Sequence, residues 1–271
     1  MFAGVFSSAL SISLGALLVL VGFAIYLTLA RQISARRKRI DSATGFPGFA
    51  LPEALLAAAL VAFLLFNIIG SVGRSPVQIS SRDLIVNVLF TLFIVFFVAA
   101  FLRLRGHDID LLAGFSQVSP RRAISTGTVL LLASWPLIVL ADAVTQKAFG
   151  TGSSKQEIVD LFNSSQTIEQ RVLIIILAVV IAPMAEEFIF RFFIYGVLRR
   201  YSGIAVALFF NSALFAAAHT HLPSAPPLFV LAACFTLAYE WSGSILVAMS
   251  MHALFNSVQL VFLAFPELVQ Q

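Results

Sequence analysis

Long stretches without a charged side chain run through almost the whole sequence. A helix needs about 20 apolar residues to cross the ~30 Å hydrocarbon core of a membrane. Several windows reach or approach that length, and only the fifth is interrupted by a charged motif. These windows are Phe2–Ala30, Ala54–Gly73, Leu84–Leu102, Ala123–Ala141, Val172–Leu198, Tyr201–Tyr239 and Trp241–Pro266. The sequence therefore predicts an all-α, polytopic membrane helix bundle.

The number of spans follows from one window that is too long for a single helix. Tyr201–Tyr239 is interrupted by Pro223, Pro226 and Pro227, which are strong breakers of regular structure. Counting this window as two helices gives a prediction of about eight transmembrane helices. Composition agrees, because 60% of the residues are hydrophobic and only 11% are charged, against roughly 25% charged in soluble domains.

Basic residues indicate orientation rather than nucleic-acid binding, and no nucleic-acid partner is expected. Cytoplasmic connections of membrane proteins are enriched in Lys and Arg. The even-numbered connections carry few of them: Arg74, Arg82, Lys147, Lys155 and Arg171. The odd-numbered connections carry about twice as many: Arg31, Arg36, Arg37, Lys38, Arg39, Arg103, Arg105, Arg121, Arg122, Arg199 and Arg200. We expect a multi-pass protein of a bacterial plasma (inner) membrane, with both termini non-cytoplasmic.

Two adjacent glutamates and an arginine lie inside the fifth apolar window. Val172–Ala185 carries no charge, and then come Glu186, Glu187 and Arg191. A charged group at this depth costs several kcal/mol, so it usually pairs or faces a cavity and marks a functional site. Glu187 and Arg191 have the i,i+4 spacing of neighbours on a helix, whereas Glu186 points about 100° away. We expect Glu186 to face polar groups of other helices and Glu187 to face only Arg191.

Candidate partners for Glu186 occur in two later windows. His219 ends one span, and His252 and Asn256 share a face of the last span at i,i+4. A carboxylate beside a histidine can remove a proton from water. A second histidine and an amide can donate hydrogen bonds to the oxyanion of a tetrahedral intermediate. These four residues are therefore predicted to form the catalytic site of an amide hydrolase within the membrane.

The same side chains are also compatible with a metal-binding site. Glu186, His219 and His252 would supply two imidazoles and a carboxylate to Zn2+ or another divalent metal. No His-Glu-x-x-His sequence is present, which excludes a zincin-type site. A metal-free reading is slightly favoured because it gives Asn256 a role, and no cofactor is certain.

The motifs together resemble the CPBP family, which comprises type II CAAX prenyl proteases and related bacteriocin-processing or immunity proteins. The matching patterns are Glu-Glu-x-x-x-Arg at 186–191, Phe-x-x-x-His at 215–219 and His-x-x-x-Asn at 252–256. The resemblance implies an intramembrane endopeptidase in which Glu186 is the general base, assisted by His219. His252 and Asn256 would stabilise the oxyanion, and Glu187 and Arg191 would support the site. Members have been described both as metal-dependent and as metal-free proteases.

The resemblance also suggests how the chain is divided and what it contacts. Residues 1–271 are interpreted as one multi-pass membrane domain, with accessory spans in 1–120 and a protease-like core in 121–266. The expected partners are membrane lipids and a membrane-anchored peptide or protein substrate, including a lipidated one. The main alternative is a catalytically idle scaffold or immunity-type protein that binds a peptide or protein. A transporter is disfavoured because the sequence shows no repeated halves.

Overall fold

The structure is a computed structural model that describes residues 2–40, 49–71, 81–149 and 167–265. These residues form helices and no strand, which confirms the predicted helical bundle. A short 3-10 turn, Leu222–Ser224, separates α7 from α8. The helices are α1 Phe2–Ile40, α2 Leu51–Ser71, α3 Ser81–Leu104, α4 Ile109–Ala113, α5 Pro120–Phe149, α6 Ile168–Ser202, α7 Ile204–Ala218, α8 Ala225–Ser242 and α9 Ile245–Ala264.

Every apolar window predicted from the sequence falls on a helix, but the number of spans differs from the prediction. Within the described ranges, six helices are long and apolar enough to cross a membrane. Helix α7 is apolar but shorter and is not among the six. Helix α8 is not among them either, and it carries two prolines in its first turn and Glu240 in its last turn. The chain is a multi-pass membrane protein, and the predicted count of eight is not confirmed. The six segments are Ile12–Arg36, Leu51–Ser71, Ile85–Leu104, Pro120–Ala148, Ile168–Ser202 and Ile245–Phe262.

Helix α6 changes its hydrogen-bond register twice. It contains two π segments, Leu177–Ile181 and Phe188–Ile194, with a short α-helical turn between them. In the first, the Ala182 N–H donates to the carbonyl of Leu177, five residues back. Pro183 follows directly and has no N–H to donate. Single π turns inside α-helices are rare and are frequent at functional sites.

The core of the bundle surrounds the middle of α6. Its second π segment, Phe188–Ile194, is buried throughout its length. Helix α9 packs against the middle of α6 and against α5, and α8 packs against α5 and α7. At one of these contacts Gly127 brings α5 close to α9, because an added Cβ would lie 3.0 Å from the Cβ of Ser250. Close helix approach through small residues is typical of membrane bundles.

The helices before residue 120 pack directly on the helices that follow. Helix α1 lies against α5 and α8, and α2 lies against α6 and α7. The Phe49 ring also contacts the rings of Phe192 and Phe193 with centroids 6.1 and 6.0 Å away. The division into accessory spans and a protease-like core stays a prediction.

Candidate active site

Glu187 and Arg191 form the buried ion pair that their spacing predicts. Arg191 Nη1 donates to Glu187 Oε1 at 2.9 Å, and both side chains are completely buried. The guanidinium carbon also lies 4.1 Å from the ring centroid of Phe215 and 5.3 Å from that of Phe235. A cation placed over an aromatic face gains electrostatic stabilisation that grows when water is excluded. Ion pairing and two aromatic rings therefore make this buried charge tolerable.

His252 lies between the two glutamates, which corrects one expectation from the sequence. Its Nδ1 is 2.8 Å from Glu187 Oε1, and its Nε2 is 3.8 Å from Glu186 Oε2. Glu187 was expected to face only Arg191, but its Oε1 accepts from both Arg191 and His252. A carboxylate oxygen accepts bonds from two directions because it carries two lone pairs. The contact with His252 also assigns a proton to Nδ1, since an ionised carboxylate cannot donate.

Glu186 differs from its neighbour in exposure and in bonding. Its side chain is 29% exposed, whereas that of Glu187 is fully buried. Within the described residues Glu186 Oε2 has no hydrogen-bond partner, although it lies 3.8 Å from His252 Nε2. That distance is too long for a hydrogen bond. Glu187 Oε2 is likewise buried without a partner, but Glu187 is held through its Oε1 by Arg191 and His252. Among the described residues Glu186 is therefore the carboxylate of the pair that no hydrogen bond holds in place.

His219 joins the site through an aromatic ring and not through a direct bond to Glu186. It caps the C-terminal end of α7, and its Nδ1 is 2.8 Å from the carbonyl of Phe215. The carbonyl accepts, so Nδ1 carries the proton and Nε2 is left as the acceptor in a neutral ring. The Phe215 ring contacts both histidines, in a tilted arrangement with His219 at 4.7 Å between centroids and edge-on with His252 at 5.9 Å. Among the described residues no hydrogen bond or ion pair connects His219 to Glu186.

Asn256 contacts the backbone of α6. Its Nδ2 donates to the carbonyl of Ala178 at 2.8 Å. The sequence predicts that the amide donates to an oxyanion, but one of its two N–H groups is used within the protein. Asn256 therefore approaches α6 in the first π segment, about two helical turns before Glu186.

The donor set for a metal does not fit the arrangement of the side chains. In the part of the chain that is described, no three His, Cys, Asp or Glu side chains form a group able to hold a metal ion. The Nδ1 atoms of His219 and His252 are held by Phe215 and Glu187, which leaves the two Nε2 atoms free, but the described side chains do not bring these atoms and Glu186 into one such group. We therefore derive no chemical step through a metal.

Two features of this site are not predicted from the sequence. The first is Phe235, whose ring lies 5.2 Å from that of His252 and forms a second wall beside Arg191. One phenylalanine among 27 carries no distinguishing signal. The second is the bond of His252 to Glu187, which depends on the orientation of α9 relative to α6. Phe215 was marked by its position in the Phe-x-x-x-His motif.

Comparison with known proteins adds independent support for this region. Residues 168–258 match the family model of the type II CAAX prenyl endopeptidase Rce1-like proteins. The chain is also 32% identical over 89 residues to the membrane-embedded CAAX protease MroQ of Staphylococcus aureus (strain USA300). That alignment covers 31% of the chain and 36% of the relative, so the chain spans little more than a third of the relative's length. No solved structure matches the chain at a significant level.

The matched region contains all of the site residues described above. Glu186, Glu187, His219, His252 and Asn256 lie between residues 168 and 258. Their order along the chain is the order of the three motifs. The family match and the three motifs therefore fall on the same residues, and together they support a protease of the CPBP type.

Proposed function

We propose that this protein is an intramembrane endopeptidase that hydrolyses a peptide bond of a membrane-associated substrate. One observation carries the proposal: Glu186, a partly exposed carboxylate, lies 3.8 Å from the Nε2 of a histidine that is held by a fully buried ion pair. The family match supports a protease but leaves the catalytic residues open. The proposal assigns the chemistry to Glu186 and His252, with His219 assisting.

The first step is the removal of a proton from water. A water oxygen about 2.8 Å from both Glu186 Oε2 and His252 Nε2 fits their 3.8 Å separation. Glu186 takes the proton, and the oxygen attacks the carbonyl carbon of the scissile bond. The π electron pair of the carbonyl moves to its oxygen, which becomes the oxyanion. When the C–N bond breaks, Glu186 gives its proton to the leaving amine.

The second requirement is a donor for the oxyanion. With His252 Nδ1 held on Glu187, its Nε2 faces Glu186 and the reacting centre, and the proposal assigns an N–H at Nε2 as the oxyanion donor. A positioned donor of this kind supplies about 3–4 kcal/mol of transition-state stabilisation in other hydrolases.

The proposed substrate is a peptide or protein anchored in the membrane. Glu186 and His252 lie within α6 and α9, which are both long and apolar enough to span it. The relative MroQ is a CAAX protease by name, and we extend to this chain the expectation of a substrate with a lipidated C-terminal cysteine. Peptides tethered by a prenyl group should then be cleaved faster than the same peptides tethered by a transmembrane helix.

The test is cleavage of membrane-tethered peptides by purified protein in liposomes. Glu186→Gln should lower kcat/KM by about 100-fold or more, since general-base catalysis contributes that much. Glu169→Gln is the matched control, because Glu169 is an exposed glutamate in the first turn of the same helix. Its activity should equal that of the unmodified protein.

Two results would overturn this assignment. Cleavage that persists in Glu186→Gln would remove Glu186 as the base. A cellular effect that survives in Glu186→Gln and His219→Ala together would favour the scaffold or immunity function.

A chelator should leave the rate unchanged, whereas loss of activity that Zn2+ restores would instead assign Glu186, His219 and His252 as ligands.

A further inference from the structure

The carbonyl of Ala178 loses both of its ordinary helical partners. In an α-helix it would accept from Ala182, but the Ala182 N–H donates to Leu177. In the π register that follows it would accept from the residue five positions on, which is Pro183. Proline has no N–H to donate. The sequence and the register together leave this one carbonyl of α6 without a backbone donor.

Asn256 supplies the missing donor from another helix. Its Nδ2 lies 2.8 Å from the Ala178 oxygen, and Ala178 itself is buried. In a membrane, every buried backbone group must find a partner within the protein, because no water is available to it. The Asn256 amide thus donates to the Ala178 carbonyl in place of the backbone N–H that any residue other than proline would provide at position 183.

This bond matters because the register of α6 decides which side chain faces which helix. A π turn inserts one extra residue, and one residue corresponds to a rotation of about 100°. The same angle separates Glu186 from Glu187. If the first π segment reverted to α-helix, the side chains that follow it would turn by about that amount relative to those before it.

We propose that Asn256 is a positioning residue that holds the π segment at Leu177–Ile181 and thereby fixes the placement of Glu186 opposite His252. The inference rests on the proposed function, in which Glu186 is the base. It is separate from the oxyanion role, because the positioning acts through the N–H that Asn256 donates to Ala178 and leaves the second N–H of the amide unused. Pro183 and Asn256 form one unit: the proline removes a donor, and the asparagine replaces it.

The test is a double-mutant cycle. Asn256→Ala should lower kcat per folded molecule by about 10- to 100-fold with little change in KM, since displacements near 1 Å cost up to about that much. In the double variant Asn256→Ala, Pro183→Ala, the new N–H at position 183 can bond to Ala178. Most of the lost kcat should return. A side chain that donated to the oxyanion could not be replaced in this way.

Two matched controls separate positioning from general effects. Pro136 lies inside α5, so Pro136→Ala also adds an N–H and raises helix propensity, but in another helix. Combined with Asn256→Ala it should restore no activity. Asn67 likewise donates to a backbone carbonyl, that of Phe63 at 2.8 Å, but on an exposed face of α2. Asn67→Ala should leave kcat and KM unchanged.

The unfolding temperature in detergent gives a readout that does not require a substrate. The unfolding temperature should fall in Asn256→Ala and recover when Pro183→Ala is added. This recovery should be larger than any rise that Pro136→Ala causes in the same background. If the unmodified protein cleaves nothing, this readout still tests the positioning role while the proposed function fails. If the double variant is folded but as inactive as Asn256→Ala, the positioning role is wrong. If Asn256→Ala does not fold, restored folding in the double variant supports the inference, and its absence overturns it.

Discussion

At the scale of single residues, Arg191 holds the site together by three contacts. It pairs with Glu187 and lies against the rings of Phe215 and Phe235. Its Nε and Nη2 atoms have no hydrogen-bond partner within the described residues, so the aromatic faces carry part of the stabilisation. Removing one member of a buried pair leaves an uncompensated charge and typically costs about 3–5 kcal/mol.

We therefore predict that Arg191→Met lowers the free energy of unfolding by about 3–5 kcal/mol. Adding Glu187→Gln should restore most of that loss, because both charges are then gone. Cleavage should stay low in the double variant, since His252 loses the carboxylate that orients it. Reversible unfolding in mixed micelles measures the stability. Arg103→Met is the control at an exposed arginine near the end of α3, and it should change little. Equal instability of the single and double variants would contradict the prediction.

Sequence spacing predicts contacts within a helix better than contacts between helices. The Glu187–Arg191 pair follows from i,i+4 geometry alone, and the structure has it. The bond of His252 to Glu187 and the bond of Asn256 to Ala178 depend on how far α9 is rotated and where it lies along α6. The hydrophobic periodicity of a single helix determines neither quantity, so neither bond was predicted from the sequence.

At the scale of elements, α9 packs closely on α5 and also contacts the middle of α6. Gly127 is buried, and an added Cβ would meet Ser250 Cβ at 3.0 Å, Met251 N at 3.2 Å and Val247 O at 3.3 Å. His252 directly follows Met251 along α9. Any shift of this part of α9 is therefore transmitted to the candidate active site. Pro183 removes one N–H donor from α6, and the π segment just before it shows how the helix accommodates that loss.

We predict that Gly127→Leu pushes α9 away from α5 and lowers both stability and activity. Overpacking of a tight contact costs about 1–3 kcal/mol, and a displaced His252 should reduce kcat/KM by about 10-fold or more. The unfolding temperature and the cleavage rate measure the two effects. Gly15→Leu is the matched control, because Gly15 is exposed on α1 and has no atom within 4 Å of an added Cβ. If the two variants behave alike, packing at Gly127 does not position α9.

At the scale of the whole molecule, connections that are distant in sequence meet at one end of the bundle. Arg36 Nη1 donates to the Trp241 carbonyl at 2.8 Å, and Tyr239 Oη donates to the Leu112 carbonyl at 3.3 Å. These residues belong to or adjoin the first, third and last of the connections that the basic-residue count assigns to the cytoplasm. An up-and-down bundle brings alternate connections to the same side, and these contacts agree with that arrangement.

A second group of contacts at this end ties the helices before residue 120 to the rest. The buried carboxylate of Glu53 accepts from Arg105 Nε at 3.1 Å and from the backbone N–H of Ala50 at 2.7 Å. His107 Nε2 lies 3.2 Å from the same oxygen as Arg105. No motif in the sequence singles out Glu53, because its side-chain partners Arg105 and His107 lie about fifty residues away in the chain.

The sidedness of this end follows from charge alone and can be measured. We predict that Gln117→Cys, in the third connection, is labelled by a membrane-impermeant maleimide only after cells are lysed. Lys147→Cys, near the end of α5, should be labelled in intact cells. Both positions are exposed, and α5 between them has the length to cross the membrane. Cys234 is buried and is replaced by Ala in both variants, so that each protein carries one thiol. Labelling of Gln117→Cys but not of Lys147→Cys in intact cells would reverse the orientation. Because odd connections are more basic than even ones, the positive-inside rule favours labelling of Gln117→Cys only after lysis.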